Sequence, residues 1–515
     1  MILDDTPDRL GSLAGPAADA LAELAGRDAV SRAWAGDHTL WRDDPTEISD
    51  RLGWLPVVAA MAARLDDVAA RTAALAAPVD HVLVAGMGGS SLFPEVLARH
   101  APTAPGSPTL TVLDTTDPAA IARTGAELPP ERTLFVAASK SGSTIETRSH
   151  LAWAWERHPD PARFAVITDP GSELAALAAD RGFAATFENP ADIGGRYSAL
   201  SFFGLVPALL AGADAAGLLR SAARMADRLR AAAPANPAAR LAATMAAGVR
   251  AGRDKLTVVV PDAYATFGLW LEQLLAESTG KDGTGIVPVV SEPLGAPDAY
   301  GDDRLFVALG ADTEPAALAA LADAGHPVAV VPAAGDFGDV GGQVLLWELA
   351  TALAGALLGI QPFDQPDVAA AKAATAKVLG GEAPEVGTTA LADLLGQVEP
   401  GDYVAIQAFV DPGSPVVDGL QWARVALRDH LRVATTLGLG PRFLHSTGQL
   451  HKGGPDTGVF VQVVGDDPED VPIPDAGYTF SRLKHAQADG DLLTLTDRKR
   501  RAGRVRLDEV LEVGP

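Results

Sequence analysis

Hydrophobic and polar positions fall into three regimes along the chain. Up to about residue 75, Ala- and Leu-rich amphipathic stretches flank a tryptophan-containing segment from Trp34 to Trp54, and this part reads as helical. At His81 the pattern changes. Short β-branched runs at His81–Ala85, Leu110–Leu113, Thr133–Ala137 and Phe164–Thr168 alternate with Ala-rich helical stretches. Continuous apolar strands separated by helices predict a parallel sheet covered on both faces. The pattern then repeats with Leu256–Val260, Arg304–Leu309 and Pro327–Val331. Residues 76–230 and 231–395 thus read as two successive doubly wound units, with a boundary at Ala231–Ala239, where two prolines fall.

The third regime, about 396–515, predicts strands at Tyr403–Val410 and Val459–Val464, a helix around Val417–Thr435 and a Gly-rich loop between them. The expected architecture is α/β: an N-terminal helical segment (1–75), two doubly wound parallel-sheet domains (76–230 and 231–395) and a small C-terminal α+β appendage (396–515).

Composition narrows the chemistry. A chain of 515 residues is too long for one core. It holds no cysteine, which excludes disulfides, Cys-ligated zinc, iron–sulfur clusters and thiol nucleophiles. Met1–Asp5 has no basic stretch leading into an apolar one, and no apolar run is a convincing membrane span, so a cytoplasmic protein is expected. The formal net charge of −25 argues against nucleic acid as a partner. An anionic small molecule would have to be held locally, by backbone N–H groups and a few cations.

Six segments carry candidate chemistry. Gly86-Met87-Gly88-Gly89-Ser90-Ser91 follows the first strand, where glycines present N–H groups at a helix N-terminus. With Asp114 at the end of the next strand it also suggests a dinucleotide fingerprint, although Ser91 stands where the third glycine belongs. Ser139-Lys140-Ser141-Gly142-Ser143-Thr144 gathers four hydroxyls and an ammonium between a strand and a helix, a composition that can surround a phosphate monoester. A helix cap alone needs one hydroxyl, not four. Gly194-Gly195-Arg196-Tyr197-Ser198 offers a permanent cation beside a close backbone approach, or a plain surface turn. In Gln273–Lys281, Gln273 and Glu277 are spaced i,i+4 and share a helical face with Trp270 and Leu274. A carboxylate beside apolar surface suits a general base, and a solvated Glu near a helix end is the plain alternative. Phe363–Lys372 opens a helix near Pro366, with Lys372 about two turns in. His445–Gly454 places His445 and His451 in one Gly-rich stretch. No carboxylate lies close enough in sequence to complete a metal site, so a polar loop facing substrate is expected, against a surface loop.

In this order the segments resemble the glucose-6-phosphate isomerase family over roughly residues 35–380, including two sugar-isomerase (SIS) units. The stretch 444–454 resembles the isomerase half of bacterial transaldolase–isomerase fusions. The resemblance implies reversible conversion of glucose 6-phosphate to fructose 6-phosphate through a cis-enediolate, with no cofactor and no metal. It implies a phosphate loop of Ser139, Lys140, Ser141 and Thr144, and a sugar-binding turn at Gly88 and Ser90. Gln273 becomes a sugar contact, Arg196 the enediolate-stabilising cation, Glu277 the proton-transferring base and Lys372 the residue that assists ring opening. The partner is a small sugar phosphate, and a homodimer is allowed.

One departure stands out. The family's ring-opening histidine follows the Glu-Pro after the base, but Ser291–Tyr300 contains no histidine. His451 and His445 are the candidates to replace it, with His451 slightly preferred. Three other readings stay open: a dual phosphoglucose/phosphomannose isomerase, a non-catalytic sugar-phosphate-binding protein and a nicotinamide-dependent dehydrogenase.

Overall fold

In the computed structural model, which describes residues 8–381 and 386–513, thirteen strands form three sheets, and every ladder is parallel. Met1–Asp5, read above as no targeting segment, lie outside the described residues. The first sheet contains β1 (His81–Gly86), β2 (Thr109–Leu113), β3 (Thr133–Ala138), β4 (Phe164–Thr168) and β5 (Ala185–Glu188), in the order β2-β1-β3-β4-β5. The second contains β6 (Lys255–Val259), β7 (Val287–Val289), β8 (Arg304–Leu309) and β9 (Val328–Val331), in the order β7-β6-β8-β9. The helices between the strands cover both faces, as parallel ladders require. At the β1/β3 switch point the connections leave in opposite directions, so the loops at the strand ends open a crevice. His81 pairs with Thr109 on one side and Thr133 on the other, which places the Gly86–Ser91 and Ser139–Thr144 loops side by side.

The C-terminal stretch differs from the α+β appendage expected. Its strands β10 (Tyr403–Phe409), β11 (Ala434–Leu439), β12 (Gly458–Val464) and β13 (Arg501–Arg504) form a third parallel sheet, in the order β11-β10-β12-β13. The helix expected at Val417–Thr435 spans Val416–Leu431, and β11 begins three residues later because Arg432, in the left-handed conformation, ends the helix. Nor is His445–Gly454 a surface loop. It is a turn (Arg442–His445) followed by a short helix (Gly448–Gly453) whose residues are mostly buried.

One apolar core runs from the N-terminal helices through one face of the first sheet into the second. At its centre lies the helix Val340–Leu358. The stretch Phe337–Leu358 is long and apolar enough to cross a membrane, but its apolar window is entirely buried inside the protein. The third sheet is tied to both others. Ile473, Phe480 and Leu483 pack on the opposite face of the first sheet, beside Leu83 and Phe135. Tyr403 and Phe460 pack against Val287 and Val289 of the second.

Candidate active site

The helix Phe267–Thr279 is buried around nearly its whole circumference, and its i,i+4 pair converges as expected: Gln273 Nε2 donates to Glu277 Oε2 at 3.1 Å. The same amide nitrogen donates to the His445 carbonyl oxygen at 2.9 Å. These two bonds fix which end of the amide is nitrogen. Gln273 Oε1 is then buried without a hydrogen-bond partner among the described residues. A buried orphan acceptor beside a carboxylate is a place for a donor from a ligand.

Arg196 lies on the other side of Glu277. Its Nε is 3.3 Å from Glu277 Oε2, and the two side chains are 3% and 11% exposed. The rest of the guanidinium is saturated. Nη1 reaches the carbonyls of Pro362 (2.8 Å), Asp364 (3.1 Å) and Glu277 (3.3 Å), and Nη2 reaches Asp364 O (3.1 Å) and Gln365 Oε1. Arg196 is thus immobilised and offers its charge rather than free donors. Glu277 Oε1 has no hydrogen-bond partner among the described residues.

The first Gly-rich turn closes over this pair. Gly88 has φ +55°, and a Cβ there would lie 2.7 Å from Gln273 Nε2 and 2.8 Å from His445 O. A Cβ on Gly89 would run into the Gly195 carbonyl. Only glycine at 88 and 89 lets the three segments meet so closely. Asp114, part of the dinucleotide reading, is 3% exposed and accepts two bonds from Arg442, at 2.7 and 2.8 Å. Ser90 is half-buried, and its hydroxyl makes no hydrogen bond among the described residues.

The Ser139–Thr144 loop leads into the helix Ile145–Arg157. Ser139 Oγ lies 3.0 Å from Thr144 Oγ1 and accepts from Gly142 N at 3.2 Å, while Ser141 Oγ meets Ser143 Oγ at 2.8 Å. Lys140 is paired with Asp169 and donates to Ala191 O at 2.8 Å. Thr144 caps the helix by backbone alone, which leaves its hydroxyl on the loop side.

Two residues beyond Thr144 stands Glu146, which the sequence reading passed over. It is buried, and its Oε1 lies 2.9 Å from His445 Nε2 and accepts from Gln487 Nε2 at 2.6 Å. Burial pushes this carboxyl up, but the adjacent His445 ring and its hydrogen bond outweigh it and hold it below the usual carboxylate value. An acidic residue in a first helical turn reads as a dipole partner, so nothing local marked it out.

The two candidate histidines separate. His445 joins the group through Glu146 and Gln273. His451 lies in the core of the third unit, between the rings of Phe443 and Phe460, with Nδ1 3.0 Å from Gln407 Nε2. Burial, then the charges of Lys452 and Arg500, hold its pKa well below the usual histidine value. Lys372 is exposed on the helix Val368–Leu379 and makes no ion pair among the described residues. That helix packs on Phe480–Asp497 and adjoins the Arg442–His445 turn. The Ser291–Tyr300 stretch lies beneath the third unit, where Arg424 donates to Val290 O (2.9 Å) and Arg428 to Pro293 O (2.6 Å).

The phosphoglucose isomerase family model matches residues 56–296. The glucose-6-phosphate isomerase of Rubrobacter xylanophilus is 33% identical over 353 residues, covering 57% of this chain and 81% of that protein. The chain belongs to the glucose-6-phosphate isomerase family. A probable glucose-6-phosphate isomerase of Haloarcula marismortui is 32% identical, covering 60% of this chain and 80% of its own. Among solved structures, a hypothetical protein from Thermus thermophilus superposes with a TM-score of 0.61 at 26% identity, covering 73% of this chain and all of that one. A glucose-6-phosphate isomerase from Chlamydia trachomatis gives 0.59 at 19% identity, covering 72% and 87%; that likeness shows the fold alone. The family expected from the motifs is thus the family found. The Thermus protein also matches this chain only in part, so the architecture here exceeds what that protein contains.

Proposed function

We propose that this enzyme interconverts glucose 6-phosphate and fructose 6-phosphate with Glu277 as the base that moves a proton between C2 and C1. The observation that carries the reading is the division of labour within one carboxylate. Oε2 is tethered by Gln273 and faced by Arg196, while Oε1 is unengaged. A base held at one oxygen can serve two adjacent carbons without reorienting, which is how proximity lowers such barriers. Charge developing on the enediolate lies near a guanidinium that cannot swing away, and such preorganisation requires no rearrangement as the reaction proceeds.

Ring opening comes first, because the substrate is mostly a closed ring. It needs one group that takes the O1 proton and one that gives a proton to O5. We assign the exchange at the ring to His445, backed by Glu146. An imidazole can both take and give a proton, and the Glu146 carboxylate 2.9 Å from Nε2 fixes its orientation. Lys372, assigned by resemblance to assist this step, would act from the helix beside the His445 turn. Ser139, Lys140, Ser141 and Thr144 would hold the phosphate, and Gln273 Oε1 with Ser90 would contact sugar hydroxyls. Binding energy from the distant phosphate can then orient C1 and C2.

The reading is tested by Glu277→Gln in a coupled assay of fructose 6-phosphate conversion without added metal. Turnover should fall at least about a hundredfold, the usual scale for losing a general base, with substrate still bound. Near-normal turnover removes Glu277 from this role. Among the described residues no group of three or more His, Asp or Glu could hold a metal ion, and exhaustive chelation should leave the rate unchanged. We place the enzyme in the cytoplasm, and its net charge of −25 supports the absence of nucleic-acid partners. For the homodimer, sedimentation of the active enzyme at two subunit masses is the outcome required.

A further inference from the structure

Lys281 closes the motif that carries the base, and the proposed reaction gives it no task. It follows the C-terminus of the helix Phe267–Thr279, where its backbone is pinned: Lys281 N donates to Thr279 O and Thr284 O, and the 281–284 turn returns the bond. Its side chain runs into the interior and is 4% exposed. An ammonium has three donors, and all three find acceptors: Gln361 O at 2.8 Å, Asp364 O at 2.7 Å and Asp364 Oδ1 at 2.6 Å. The same loop is braced from within by Gln361 Oε1, which accepts from the backbone N–H groups of Phe363 and Asp364.

The Asp364 carbonyl is the shared element. It accepts from Lys281 Nζ and also from both terminal nitrogens of Arg196. Pro362 and Gln365, which complete the seat of Arg196, belong to the same loop. Among the described residues Lys281 is the one cation that pairs with the Asp364 carboxylate, so without it the loop keeps the Gln361 brace and the Arg196 bonds but loses its charged anchor. We infer that Lys281 is a positioning residue for the isomerisation: through Gln361 and Asp364 it holds the loop that seats Arg196 against Glu277.

Charge matters here as well as shape. Burial, and next the like charge of Arg196, bring the Lys281 pKa down to about 7, while Asp364 and Glu277 pull the other way. These three are the ionised groups that face it, from the Gly195–Tyr197 turn, the 361–367 loop and the base helix. The carboxylate of neighbouring Asp282 is turned to Arg42 instead. A neutral amine keeps two donors and loses the ion pair, so the anchor slackens as pH rises through this range. The inference rests on the reading of Glu277 and Arg196 as the isomerising pair.

The test is the pH dependence of kcat in the full-length enzyme. Wild type should lose kcat on the alkaline side near neutral pH. In Lys281→Arg, which stays protonated, that limb should move up by at least about one pH unit, since arginine titrates above about 12. In Asp364→Asn, which removes the stabilising anion, it should move down. Lys281→Met should lower kcat about tenfold or more while KM changes less than about twofold, because the phosphate loop is untouched. If Lys281→Met does not fold, the two opposed pH shifts decide alone. An alkaline limb that stays put in both variants overturns the inference. Full activity in Glu277→Gln would instead overturn the underlying assignment, whatever Lys281 does.

Discussion

His445 Nε2 and Glu146 Oε1 are 2.9 Å apart although 299 residues separate them in the chain. The contact joins the C-terminal unit to the helix that follows the Ser139–Thr144 loop. It continues on one side to Gln487 and Thr116 and on the other, through the His445 carbonyl, to Gln273 and Glu277. If this pair opens the sugar ring, His445→Ala and Glu146→Gln should each slow anomerisation of glucose 6-phosphate by about a hundredfold, at the low end of general acid–base effects. Exchange of the C2 proton from the open-chain form should fall far less. Anomerisation at the wild-type rate in both variants would return the step to Lys372 or solvent.

His451, the histidine first preferred, should behave as a core residue. The folded protein keeps it neutral, whereas the unfolded chain protonates it near pH 6.5. Below that pH the unfolded state therefore binds the extra proton, so this contribution to stability is complete above about 6.5 and is lost as pH falls. Buried His150, its pKa lowered mainly by burial, acts in the same direction. Urea unfolding from pH 8 to 5 should show stability falling with acid. His451→Asn should make that slope shallower by up to about one proton, or about 1.4 kcal/mol per pH unit. Its anomerisation rate should stay near wild type, and a hundredfold loss would put His451 back at the ring.

Asp114 is a structural anchor, not a ribose ligand. Its two bonds come from Arg442, three residues before His445 on the same turn. Asp114→Ala leaves a cation mostly buried without its anion and should cost about 3 kcal/mol in denaturant unfolding. If His445 opens the ring, the variant should also slow that step, because the turn that carries His445 loses its hold on Asp114. Titration of the wild type with reduced nicotinamide dinucleotide should leave the nucleotide's fluorescence unchanged. A saturating change that disappears in the variant would restore the dehydrogenase reading.

The nine strands expected from sequence coincide with β1–β4, β6, β8–β10 and β12, with ends displaced by a residue at most. The four that were not anticipated, β5, β7, β11 and β13, are all sheet edges. Edge strands need apolar residues on fewer sides and tolerate what a central strand rejects. Here that means Pro288 in β7, Gly438 in β11, and Arg501 and Arg504 in β13. Missing β11 and β13 turned a parallel unit into an apparent α+β appendage. The contacts of the candidate site were legible where they are local: two hydroxyls of one loop, or Gln273 and Glu277 on one face. It was not legible where it depends on docking. Glu146 acquires its partner only because the third unit lies on the first, and Lys281 finds Gln361 and Asp364 only because the chain returns after 80 residues.

The loop proposed to hold the phosphate presents its cation already engaged. Lys140 is paired with Asp169, whose carboxyl burial pushes up despite that partner, and the two side chains are 27% and 17% exposed. An incoming phosphate monoester would add a second anion to the ammonium and draw on the hydroxyls of Ser139, Ser141 and Thr144. Charge-assisted bonds of this kind are worth about 1.5–3 kcal/mol each. Lys140→Ala combined with Ser141→Ala should therefore raise KM at least about tenfold, with kcat lowered as well if the phosphate orients the reacting carbons. Because the loop is partly exposed, raising ionic strength should increase KM in the parent enzyme and do so less in the variant. Unphosphorylated fructose should be a very poor substrate for the parent. Steady-state kinetics on both sugars at two salt concentrations decides the matter: equal efficiency on fructose and its 6-phosphate would leave this loop with only a helix to cap.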